Sequence, residues 1–63
     1  MERELTLKVG INDDGWPYIN VVDVEGGRNL TAIGYGKTYS GGMDRLKQKL
    51  WDMVSLAVNE MQD

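Results

Sequence analysis

The hydrophobic period of this sequence changes once, at Ser40-Gly41-Gly42. Ahead of that point, apolar and polar residues alternate in short runs separated by turn formers; beyond it, apolar residues recur at helical spacing. Over residues 42–62, Met43, Leu46, Leu50, Trp51, Met53, Val54, Ala57, Val58 and Met61 fall within an arc of about 160° on a helical wheel, interrupted by Lys47. Charged and polar residues hold the opposite side, and only Leu56 is out of place among them. One amphipathic helix cannot make a bundle, so its apolar side needs a sheet.

The preceding runs supply it. In residues 4–11, Leu5, Leu7, Val9 and Ile11 alternate with Glu4, Thr6, Lys8 and Gly10, which is the pattern of a strand with one buried face. That face is expected to lie under the helix. Asn12-Asp13-Asp14-Gly15 is a cluster of turn formers. A second strand follows over residues 16–24, with Pro17 at its beginning, where a missing N–H does no harm. Glu25-Gly26-Gly27-Arg28 turns the chain again, and a third strand is expected over residues 29–38. Short connections make this an antiparallel meander. The fold class is α+β, in the order β-β-β-α, with the C-terminal helix packed on one sheet face and residues 1–63 forming a single small domain.

The strands offer more apolar surface than one helix can cover. Ile19 and Val21 point to one face of the second strand, while Tyr18, Val22 and Val24 point to the other. The third strand would place Leu30, Ala32, Gly34 and Gly36 on one side and Ile33, Tyr35 and Tyr39 on the other. The helical arc is also wider than the ~100° stripe that a single contact uses. A chain of 63 residues buries only about 60% of the surface its unfolded form exposes. With no Cys and no His, disulfides and the usual zinc sites are not available to reinforce it. Homo-oligomerisation, with a dimer as the commonest form, is the expected remedy. Candidate interface residues are Tyr18, Ile33, Tyr35, Lys37, Tyr39, Trp51 and Val58.

Gly36-Lys37-Thr38 matches the end of a phosphate-binding loop, but the loop's first glycine would fall at Thr31, and Tyr39-Ser40-Gly41-Gly42 intervenes before the helix. The dinucleotide fingerprint fails too, because its third glycine would be Tyr39. These glycines instead suit a strand approached closely by something bulky, for which Leu50 and Trp51 are the candidates. Ser40 is the expected N-cap, with Asp44 complementing the helix dipole. Residues 40–42 are a helix N-terminus that could receive an anion.

Other chemistry finds little support. The acids in the 12–15 turn lack the spacing of a calcium loop. No His is present to act as a base, no Cys to act as a nucleophile, and the acids fall mainly in turns or on the polar side of the helix. Asp23, alone inside an apolar run, is expected at an exposed bulge or strand end. No enzyme activity, cofactor or metal site is therefore expected. A net charge of −3, with basic residues scattered, argues against nucleic acid, although Tyr35, Tyr39 and Lys37 would offer single strands a small stacking face. The charged N-terminal residues carry no signal peptide pattern and no apolar run approaches the ~18 residues of a membrane span, so a cytoplasmic location is expected.

Asp14-Gly15-Trp16-Pro17-Tyr18, then Val22-Asp23-Val24-Glu25-Gly26, then Gly36-Lys37-Thr38 ahead of an amphipathic helix resembles HicB-type antitoxin domains over residues 5–60. The 26–36 segment is longer than that pattern, and Gly41-Gly42 stands where the family favours Glu-Ala. The resemblance implies a β-β-β-α core and a protein-binding role. Composition leads to the same class: a non-enzymatic, protein-binding module of the phage- or mobile-element-type inhibitor or adaptor kind, acting on an unidentified protein partner.

Overall fold

The computed structural model describes residues 1–62 and has the expected order, β1 (Thr6–Ile11), β2 (Pro17–Asp23), β3 (Arg28–Ile33) and α1 (Tyr39–Met61). The strands form one antiparallel sheet in the order β1-β2-β3, with β1 and β3 at its edges. Register places Leu7 opposite Val21, Val9 opposite Ile19 and Ile11 opposite Pro17. Leu30 and Ala32 lie opposite Val21 and Ile19 on the other side. Since paired residues share a face, all of these side chains point to the side on which α1 packs.

Local chemistry makes the turns. The Asn12 side-chain oxygen accepts from the Asp14 and Trp16 amides at 3.1 and 2.9 Å, and Gly15 takes a φ of 86° in the left-handed region that favours glycine. Gly27, at φ 70°, does the same for the second turn.

β3 ends at Ile33, five residues short of the expected boundary, because the chain leaves the sheet to cross the start of α1. A Cβ on Gly34 would stand 2.6 Å from the Gly42 carbonyl oxygen, and one on Gly36 would stand 2.8 Å from the Gly42 nitrogen. The glycines therefore admit the backbone of the helix's first turn and not Leu50 or Trp51. This crossing also moves the helix start. Thr38 is the N-cap, its hydroxyl accepting from the Gly41 amide at 3.1 Å, so Ser40 lies inside the helix and Asp44 lies beyond the first turn.

The core among the described residues is small: Ile19, Val21, Leu46 and Met53, with Ala57 also buried and Leu5, Leu30, Ala32, Met43 and Leu50 packed around it. α1 rests on β2 and β3 and not on β1. The expectation that the helix would cover the apolar face of the first strand is therefore corrected. The close crossing at Gly34 and Gly42 pins α1 to the β3 side, and one helix is too narrow to reach across all three strands.

Asp23 also departs from expectation. It closes the helix-facing row of β2, after Pro17, Ile19 and Val21, and is completely buried. Arg3 folds over it, donating from Nη2 to Oδ2 at 2.8 Å and from Nε to Oδ1 at 3.1 Å, and the Gly26 amide donates to Oδ1 at 3.1 Å. Arg3 also donates to Glu60 of α1 at 2.7 Å, and Arg28 pairs with the same carboxylate. The Arg3 hydrogen bonds hold the Asp23 carboxyl below the usual carboxylate range against the opposing effect of burial, with the Gly26 amide and the Arg3 and Arg28 charges adding to them. Asp23 is thus a structural acid joining the N-terminal segment, the second turn and the far end of the helix.

Candidate functional site

Because α1 sits over β2 and β3, the apolar face of β1 is left open. Leu7, Val9 and Ile11 point to the helix side of the sheet, yet Val9 remains 71% exposed and Ile11 65%. The nearer flank of α1 rises beside them through Tyr39, Met43 and Leu50. Together they form a cleft of about 380 Å³ in which, among the described residues, Lys47 is the only charged one in the lining. Further out along the same flank lie Trp51, 65% exposed, and Val58. The two walls have simple origins: alternation in β1 puts every second residue on one face, and the wide apolar arc of α1 extends past the part that touches the sheet.

The opposite flank of α1 differs in chemistry. There Arg45, Gln48, Lys49 and Asp52 border Ala32, Ile33 and Tyr35. The outer sheet face is largely polar: Asn20 donates to the Asn29 and Thr31 side-chain oxygens at 2.7 and 2.9 Å. The surplus apolar surface is therefore concentrated on the β1 side of the helix.

The candidate interface residues separate into groups. Tyr18 and Ile33 are cross-strand partners on the outer face; Tyr18 lies over Gly10 of β1 and also borders the cleft. Tyr35 turns edge-on to Trp16, with ring centroids 5.6 Å apart. Lys37 is exposed in the crossing segment. Tyr39 lies in the cleft, and Trp51 and Val58 flank it. Ile33, Tyr35 and Tyr39 do not share a strand face, because β3 has ended before the last two. Leu7, Val9, Ile11, Met43 and Leu50 belong to the cleft and were not among the candidates. Their alternation was visible, but the sequence carries no signal for which strand the helix would leave bare.

At the helix N-terminus the Gly41 amide donates to the Thr38 hydroxyl, and the Gly42 amide makes the first helical bond, to the Thr38 carbonyl, both at 3.1 Å. Thr38 of the Gly-Lys-Thr motif thus serves the helix cap. Among the described residues, no group of three or more His, Cys, Asp or Glu is placed to hold a metal ion, and no helix is long and apolar enough to cross a membrane. No family model, curated protein or solved structure matches the chain.

Proposed function

We propose that this chain is a non-enzymatic protein-binding module, of the inhibitor or adaptor kind, that acts as a homodimer, and that the cleft between β1 and α1 is one of its protein-contact surfaces. The observation that carries this reading is the uncovered helix-side face of β1, where Val9 and Ile11 stand open beside an apolar helix flank. An apolar surface of this continuity marks a contact site. Its Tyr and Trp residues are the types enriched where proteins meet. The acid best placed for chemistry, Asp23, is committed to Arg3, and the sequence holds no His or Cys. The alternative, single-strand nucleic-acid binding, draws less support, since Tyr35 stands edge-on to Trp16 while Tyr39 lies apart in the cleft.

Affinity capture with tagged chain tests the reading, using Val9→Glu in the cleft and Leu56→Glu on another exposed side of α1, after circular dichroism shows both folded. A protein ligand retained by wild type and Leu56→Glu but lost by Val9→Glu is the expected result. Retention of that ligand by Val9→Glu and its loss in Tyr35→Ala would move the site to the other flank. Salt-sensitive binding of a single-stranded oligonucleotide, lost in Tyr35→Ala, would replace the reading with the nucleic-acid alternative.

A further inference from the structure

We infer that the cleft is filled by a second copy of this chain, in a two-fold dimer whose two helices lie side by side and parallel between the two sheets; this rests on the reading of the cleft as a protein-contact surface. Three independent observations lead to it.

The first is area. A folded monomer of 7.1 kDa exposes about 4,100 Å² by the usual size scaling, so the 4760 Å² exposed here is an excess of about 700 Å². A standard interface removes ~800 Å² from each partner. The radius of gyration agrees, at 12.8 Å against the ~10.6 Å expected for 63 residues. The protomer is open by roughly the amount that one partner closes.

The second is the helix sequence. Met43, Lys47, Leu50, Val54 and Met61 keep the alternating four- and three-residue spacing of a helix–helix seam, with the remaining seam position held by Ala57, which is already buried in the protomer; Met43, Lys47 and Leu50 line the cleft. Placing Leu50 at d and Val54 at a gives the combination that favours parallel two-stranded pairing. Lys47 then occupies one a position, where a single polar residue specifies register at some cost in stability.

The third is self-complementarity. Each copy has a sheet face without a helix and a helix flank without a sheet. A second helix placed ~8–10 Å from α1, about two strand spacings of ~4.8 Å, stands over β1 and its free edge. The two-fold operation that puts it there lays β1 of the partner over the outer flank of α1, beside Trp51, and covers the β1 face that is open in the protomer. The contact is isologous and closed.

The test is mass by sedimentation and light scattering over a wide dilution range, combined with cysteine trapping in a chain that has no cysteine of its own. Wild type should be a dimer. Val9→Glu and Trp51→Glu, both at positions exposed in the protomer, should weaken it on the order of 100-fold or more, because a carboxylate would be buried without a partner. Leu56→Glu should not change it. Lys47→Cys should oxidise to a disulfide-linked dimer, since parallel helices place this residue opposite its own copy; Lys47→Leu should tighten association. Monomeric wild type throughout would overturn the second-copy inference and leave the cleft to a foreign partner. A dimer indifferent to both Glu variants would overturn the inference and also the reading of the cleft as a contact surface. A Val9-sensitive dimer in which Lys47→Cys does not cross-link would overturn the parallel arrangement while sparing that reading.

Discussion

Gly34 and Gly42 cross without room for a side chain on either. A Cβ on Gly34 would meet the Gly42 carbonyl oxygen at 2.6 Å and Leu46 Cγ at 3.0 Å, and a Cβ on Gly42 would collide with the Gly34 carbonyl oxygen. Backbone lies on both sides of this contact, so relief requires moving α1 relative to β3. Gly34→Ala and Gly42→Ala should each cost about 2 kcal/mol or more in chemical denaturation. Gly41→Ala is the internal control. Its Cβ would meet only the Thr38 hydroxyl at 3.4 Å, so helix propensity should make it neutral or stabilising by up to ~1 kcal/mol.

Asp23 should give the fold an acid-sensitive component. Its carboxyl is held below the ordinary range chiefly by the Arg3 hydrogen bonds, so the unfolded chain takes up the proton at a higher pH than the folded chain. The contribution is fully present above the unfolded value, about 3.9, and is lost as pH falls through the lower folded value. Denaturation of wild type and Asp23→Asn should show a constant stability gap from pH 7 to about 5, narrowing below about pH 4. A gap that does not vary with pH would mean that the Asp23 charge is not what the fold uses.

Leu46 and Trp51 should respond in opposite ways to truncation. Leu46 is 4% exposed at the centre of the core, so Leu46→Ala should cost ~2–5 kcal/mol. Trp51 faces outward from α1, and Trp51→Ala should leave the stability of the isolated protomer within ~0.5 kcal/mol. Measurement under dilute conditions separates protomer stability from association.

The left-handed glycines of the turns offer a milder test. Gly15, at φ 86°, has no atom within 4 Å of where its Cβ would stand, so Gly15→Ala introduces strain without a clash. The expected cost is ~1–2 kcal/mol, with Gly27→Ala behaving alike.

The sequence by itself determined the type and order of the elements and the chemistry of the turns. Alternation in Leu5, Leu7, Val9 and Ile11 and helical recurrence from Met43 to Met61 are local properties of the backbone period, and Asn12 and Gly15 make their turn with near neighbours in the chain. It also showed that apolar surface exceeded what one helix covers. Only the tertiary structure decided where that surplus lies. Periodicity says that a strand has an apolar face, not which element covers it. Here the choice was made by contacts between distant residues: the Gly34–Gly42 crossing, which draws α1 to the β3 side, and Arg3 bonded to Asp23 and Glu60 across 20 and 57 residues, which fixes its other end. The same long-range packing buried Asp23, exposed Trp51 and left β1 bare, because each outcome depends on where one helix lies over three strands.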